Sequence, residues 1–234
     1  MTPHVAVDTD FTPARRVVVG RPIKTMGIFG SPGGLVSNSR CGPLGPVEHC
    51  RGAAKRGLKW LAFDANPAIA SQQDWTIWKA HAAVNGLSWL WWMRTYNVGD
   101  VRFLERLTEE HGKLAILYNL ETELRDGRVT FDDLEPPEGC DVGISTECGL
   151  YHSVDWSKAP GVVMPQAFQN EMPGKTPTFA LANAAERGAH LVNVTVGVYR
   201  VAGQPPMTIE SYEPMPTPHW SVYLIDNIEE WRSA

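Results

Sequence analysis

Short apolar runs recur along this chain and alternate with longer stretches of helical period. Eight runs have strand character: residues 26–30, 58–64, 87–93, 114–120, 141–146, 162–168, 191–198 and 221–225. Between them lie candidate helices. Residues 46–56 form one, and in 72–85 Trp75, Trp78, Lys79 and Ala82 recur at helical spacing. After Asp100 the pattern Val101, Leu104, Leu107 runs to a stop at His111-Gly112. Residues 177–188 read as an amphipathic helix. The middle crossovers are short, since 130–135 and 151–158 leave room for a turn or two of helix. Positions 202–218 carry five prolines and exclude a regular helix. A last helical turn is expected near Glu229. Residues 5–19 fall outside the repeat and suit a hairpin or a plug under the sheet.

Strand and helix alternating, with buried β-branched runs, imply a mostly parallel sheet, and eight such units in 234 residues favour closure. The expected fold is α/β: a single irregular (β/α)8 TIM-type barrel over 24–234, with some crossover helices missing or short, a Pro-rich loop at 202–218 and an N-terminal arm or barrel-bottom plug at 1–23. A doubly wound open sheet competes with it. Against that arrangement, Gly30-Ser31-Pro32-Gly33-Gly34 lacks the dinucleotide fingerprint and does not run directly into a helix. It reads as a flexible connection.

Composition narrows the function. Hydrophobic residues make up 43% and charged residues 20%, with no apolar stretch of about 18 residues, so no bilayer span is expected. The net charge is −5 and the basic residues form no run, which leaves nucleic acid without a binding surface. The first ten residues hold two acids and lack a signal-peptide pattern. Cys41, Cys50, Cys140 and Cys148 form no C-x-x-C pair. They read as buried thiols, although Cys41 with Cys50 and Cys140 with Cys148 are spaced to close short loops in an oxidising exterior. The seven His form no H-x-H or H-E-x-x-H pattern, so no metal is expected, and no cofactor signature is present. A G-x-S-x-G elbow is also missing. Asn193-Val194-Thr195 matches a glycosylation acceptor but falls inside an expected buried strand.

The candidate chemistry lies at the strand ends, where a barrel displays it. In the fourth run Leu114, Ile116, Tyr118 and Leu120 suit packing under helices, while Ala115, Leu117, Asn119, Glu121 and Glu123 face the other way with polarity rising toward the end. In the seventh run valines 192, 194, 196 and 198 oppose Asn193, Thr195, Gly197 and Tyr199. The second run leads through Trp60 and Ala62 to Asp64 and Asn66, and the third puts Trp92, Arg94 and Tyr96 in one register. The fifth gives Gly143, Ser145 and Glu147, and the sixth gives Gln166, Phe168 and Asn170. Carboxylates, amides and aromatic rings converging on one mouth match sugar recognition, and glycosidic cleavage needs two carboxyl groups in different environments. Glu121, ending an apolar strand, is the expected general acid, with Glu147 as partner or Asp64 in its place. Arg94, Tyr96, Asn119, Gln166, Asn170, Tyr199 and Trp92 are the expected substrate contacts. Arg94 would hold an acidic substituent or neutralise the acids.

The nine Trp divide in the same way. Trp60 and Trp92 share the inner register, Trp75, Trp78, Trp89 and Trp91 suit packing between sheet and helices, and Trp156, Trp220 and Trp231 lie in or beside irregular segments suited to partner contacts.

The motifs Leu61-Ala62-Phe63-Asp64, Ile116-Leu117-Tyr118-Asn119-Leu120-Glu121 and Met164-Pro165-Gln166-Ala167-Phe168 resemble, in this order, the glycoside-hydrolase-like barrels of minor tail proteins of phages infecting actinobacteria. The likeness covers about residues 24–200, and 14 Arg against 7 Lys agrees with a GC-rich genome. The resemblance implies a virion protein of the tail tip, assembled in the host cytoplasm within an oligomeric assembly. Its partners would be cell-wall polysaccharide or peptidoglycan and other tail subunits. The chain departs from hydrolase patterns in ending its seventh strand in Tyr199 where many retaining barrels carry a carboxylate, and in lacking a D-x-x-D-x-D-x-E run. A catalytically inactive tail subunit using the barrel as an interaction scaffold is therefore an alternative, and a cellular glycosidase is another.

Overall fold

The computed structural model of the chain describes residues 26–30, 33–37, 45–66, 75–111, 114–169, 171–198, 207–212 and 214–224. The strands are β1 Gly34–Ser37, β2 Trp60–Asp64, β3 Ser88–Arg94, β4 Ala115–Asn119, β5 Asp141–Glu147, β6 Val162–Ala167, β7 Val194–Val198 and β8 Trp220–Leu224. Every neighbouring pair is parallel, and β1 pairs with β8 as well as with β2, so the curled α/β sheet meets itself. The helices are α1 Pro46–Lys55, α2 Trp75–Val84, α3 Val98–His111, α4 Thr122–Arg125 and α5 Pro177–Glu186. Short crossovers recur where expected: only the 3-10 turn Trp156–Lys158 stands between β5 and β6, and Phe131–Asp133 follows α4. The one-turn α4 was not expected.

The first strand differs from the sequence expectation. Residues 26–30 do not pair; Gly27–Gly30 is a 3-10 turn, and β1 is the segment Gly34–Ser37, which begins at the last residue of the Gly-rich connection. The reason is steric and polar. Gly27 has φ +51, incompatible with a strand, and the Ile28 N–H donates to the Asp141 carboxylate at the start of β5 (2.8 Å). This aims Phe29, fully buried, into the sheet interior, where the Asn193 amide donates to its carbonyl (2.7 Å) and its ring meets Trp60 edge-on at 5.4 Å. The expected flexible connection is likewise ordered at its end: Gly33 N–H donates to Trp220 and Gly33 O accepts from Lys59. β1 needs Gly34, because a Cβ there would lie 1.8 Å from the Trp60 indole. The expected N-terminal arm, Cys41, Trp231 and the turn near Glu229 lie outside the described residues.

Two apolar layers follow from strand alternation. Phe29, Trp60, Ala62, Trp92, Leu117 and Met164 fill the interior of the curl. Leu61, Phe63, Trp91, Ile116, Ile144 and Val196 face outward against Trp78 of α2, Val101 and Leu104 of α3 and Ala180 of α5. Phe63 gathers Trp75, Trp78, Trp89 and Trp91 within 5.9 Å, and the Lys79 ammonium lies 4.3 Å from the Trp89 ring centre. On the outer side of β4 the Tyr118 hydroxyl donates to Glu105 (2.9 Å), which also accepts from Arg102 and the Glu135 N–H. Trp156, expected as a partner contact, is fully buried and donates to the Tyr151 carbonyl, so it belongs to the core.

Cys50, Cys140 and Cys148 are free, so Cys140 and Cys148 do not close their loop. Burial pushes the Cys50 and Cys140 thiols up to about 12 and Cys148 up to about 11. Asn193 is buried, which removes it as a glycosylation site. Among the described residues no helix is long and apolar enough to cross a membrane.

Candidate active site

Parallel strands carry their loops of chemistry at the carboxyl ends, and here β3 to β6 bring most of the expected polar residues together. β4 and β5 pair Asn119 with Ser145, and β5 and β6 pair Glu147 with Gln166. All four stand on the inward alternation. The Gln166 amide joins three strands by donating to Asn119 Oδ1 (3.2 Å) and Ser145 Oγ (2.9 Å). Asn119 and Ser145 are nearly buried, so this row forms the polar floor. Deeper still, the hydroxyls of Thr195 and Ser221 bond each other at 3.0 Å.

Glu121 lies just beyond β4 at the N-cap position of α4, where its side chain makes no capping bond. Its carboxylate meets Arg94 Nη1 at 3.1 Å, with the side chain 30% exposed. Arg94 reaches with its other nitrogen to Glu123, where Nη2 donates to Oε1 at 3.0 Å. Glu123 is 1% exposed, also pairs with Arg128 at 3.3 Å, and accepts the Glu121 N–H through Oε2 at 2.8 Å. Burial is the main cause that raises the Glu121 carboxyl above the usual range. The Arg94 guanidinium opposes it, Glu147 and Glu123 add to it, and a hydrogen bond from Gln166 lowers it. Of the carboxyl groups, Glu147 ends the adjoining strand and acts on Glu121 directly. Asp64 ends β2, two strands away, and accepts the Asn66 N–H at 3.0 Å. Following the staggered ladder, it shares the level of Asn119 and Gln166, below Glu121.

The remaining expected contacts are divided. Tyr96 is exposed at the rim, with the Arg94 guanidinium 5.1 Å from its ring centre. Trp92 is buried in the interior and meets Tyr223 edge-on, so it offers no open ring face. Asn170 and Tyr199 lie outside the described residues. The neutralising role of Arg94 is the one its contacts support.

Sequence reasoning passed over several side chains that complete the mouth. Glu123 appeared only as one more residue on the inner alternation, yet it holds two arginines. Tyr151 follows Glu147 by one short loop; burial, then the nearby Glu147 carboxylate, raise its phenol well above the usual range, and Arg125 lies 5.0 Å from its ring centre. Tyr223 stacks on Phe168 at 5.5 Å. The alternating charges of Glu123, Arg125, Asp126 and Arg128 were the readable signal for the rim pairs Arg125–Asp126 and Arg128–Asp126. Among the described residues no group of three or more His, Cys, Asp or Glu is arranged to hold a metal.

No protein-family model and no curated protein matches the chain. Among solved structures it is similar to a xylose isomerase-like TIM barrel/4-hydroxyphenylpyruvate dioxygenase fusion protein. That match has 11% identity and a TM-score of 0.49, covering 84% of this chain and 39% of that one. It is also similar to a protein of Burkholderia cenocepacia described as a dehydrogenase and crystallised with bound NADP. There the identity is 14% and the TM-score 0.31, covering 81% of this chain and 77% of that one. The chain thus spans well under half the length of the fusion protein.

Proposed function

We propose that this chain is a (β/α)8 barrel of glycoside-hydrolase type which binds or cleaves cell-wall glycan as a minor tail protein of a phage virion. The observation that carries the reading is the pair Glu121 and Glu147 at the carboxyl ends of adjoining strands, above a floor of Asn119, Ser145 and Gln166, with the Glu121 carboxyl raised by burial. The virion setting comes from the strand-motif resemblance alone.

In this reading Glu121 is protonated when substrate binds and gives its proton to the leaving glycosidic oxygen as the C–O bond breaks. Glu147 serves the opposite face of the sugar, where it takes the proton of the attacking water or attacks the anomeric carbon itself. The amide and hydroxyl groups of Gln166, Asn119 and Ser145 hold ring hydroxyls, and the rim ring of Tyr96 offers a face to sugar C–H groups.

The test is incubation of the purified protein with actinobacterial peptidoglycan and arabinogalactan, scoring bound protein and released reducing ends for wild type and Glu121→Gln. Release by the wild type that falls at least a hundredfold in the variant supports cleavage. Equal release by both removes Glu121 as the acid. Sedimentation with the glycan without release supports a binding barrel, and neither binding nor release overturns the proposal.

A second reading, a scaffold without turnover that contacts neighbouring tail subunits, is favoured by two features. Arg94 already engages Glu121 and Glu123, and Trp92, expected as a substrate contact, is buried.

A further inference from the structure

Arg94 does not treat its two carboxylates alike. Its Nη2–H bond to Glu123 is aligned and 3.0 Å long. Toward Glu121 its Nη1 is equally close, at 3.1 Å, but makes no aligned hydrogen bond there and is itself buried. Glu123 in turn is enclosed, receives Arg128 on the oxygen that Arg94 uses, and takes the Glu121 backbone N–H on the other. The guanidinium is therefore oriented by the buried acid and only touches the acid in the mouth.

We propose that Glu123 is a positioning residue of the site: it turns the Arg94 fork onto itself and pins the Glu121 backbone, which leaves the Glu121 carboxyl in ion contact but free to carry and release a proton. Charged and titratable groups face Glu121 from each packed element: Arg94 from β3, Glu123 from α4, Glu147 from β5, and Tyr151 from the loop after β5. Neutral Gln166 faces it from β6. With Glu123 absent, Arg94 would swing its full donor capacity to Glu121 and hold it ionised. The identification of Glu121 as the working acid rests on the function proposed above; the orientation of Arg94 by Glu123 does not.

The experiment follows the side-chain carboxyl carbon of Glu121 by NMR through a pH titration, assigned by its loss in Glu121→Gln, so that no turnover is needed. Glu123→Gln keeps the shape and an acceptor for Arg94 while removing the charge. It is expected to increase Glu121 acidity about threefold or more, lowering the midpoint by half a unit or more. Glu123→Asp, which keeps a buried charge for Arg128 but withdraws it from Arg94 by one methylene, is expected to shift the midpoint the same way and covers the case in which the amide variant does not fold. An unchanged or higher midpoint in the folded variant overturns the proposal. If no glycan is bound or cleaved but the midpoint falls, the functional reading fails and the positioning role stands.

Discussion

Glu121 and Glu147 both stand two residues beyond the paired Asn119 and Ser145, Glu147 as the last residue of β5 and Glu121 just past the end of the adjoining β4. Neighbouring strands lie about 4.8 Å apart, so the roughly 5 to 9 Å that carboxyl pairs use in glycosidic cleavage is within reach of side chains from such places. The two differ in surroundings. Glu121 is crowded by burial and two other acids against one arginine, whereas Glu147 faces the Tyr151 phenol. Different environments for two carboxyl groups are what acid and partner roles require.

The raised Glu121 carboxyl makes stability depend on pH. The folded protein holds this proton to higher pH than the unfolded chain, so the folded state binds more protons across that interval. Its contribution is full below the ordinary carboxylate range and is lost as pH rises through the raised value. Glu121→Gln removes the titration. Melting temperatures of wild type and variant measured from pH 4 to 8 are expected to diverge in favour of the variant as pH rises; a constant difference would refute the assignment.

Strand and helix order was legible because apolar period survives any detail of packing. The outward Val194, Val196 and Val198 of β7 and Ile116, Tyr118 and Leu120 along β4 are where alternation puts them, whereas Leu114, expected under the helices, is half exposed. What was not legible depended on three-dimensional neighbours. Residues 26–30 look like a strand, and only the Asp141 carboxylate and the positive φ of Gly27 turn them into an inserted plug. Gly34 looks like loop, and only the Trp60 indole explains why a strand begins with it. In the site, Glu121 and Glu147 were readable as strand-end acids. Glu123 was not, because its importance lies in two arginines from β3 and the segment after α4 that no local spacing connects.

Interior packing predicts the cost of a single methyl group. A Cβ on Gly143 would stand 2.8 Å from Phe29 Cζ, 2.9 Å from Leu117 Cδ1 and 3.0 Å from Met164 Sδ. Gly143→Ala is expected to destabilise by about 1–3 kcal/mol through overpacking. Phe29→Ala in the same background should relieve part of that loss, so a chemical-denaturation cycle should show the double variant less unstable than the sum of the single ones.

Tyr118 and Glu105 form a latch outside the sheet. Burial raises the Glu105 carboxyl, opposed by the Glu135 N–H, Tyr118 and Arg102. Tyr118→Phe removes one of these opposing bonds without creating a void. It is expected to lower stability near neutral pH by about 1–2 kcal/mol and by less at pH 4, where a protonated Glu105 has less need of the donor. Denaturation midpoints at the two pH values decide this, and equal losses would show that the bond does not serve the charged form.

The Arg94–Glu123 contact predicts a rescue. Glu123 is almost wholly buried, so Arg94→Gln leaves it an ion with only Arg128 to answer its charge, while Glu121 loses its cation altogether. The expected loss is about 2 kcal/mol, because the buried carboxylate keeps its charge with one cation fewer. Adding Glu123→Gln removes the buried charge together with its partner, and a neutral pair in the same space is expected to recover at least half of the loss. Urea denaturation of the wild type, both single variants and the double variant at pH 7 measures the coupling. Additive losses would mean that Arg94 stabilises the fold through its packing on Tyr96, and that the buried acid does not depend on it.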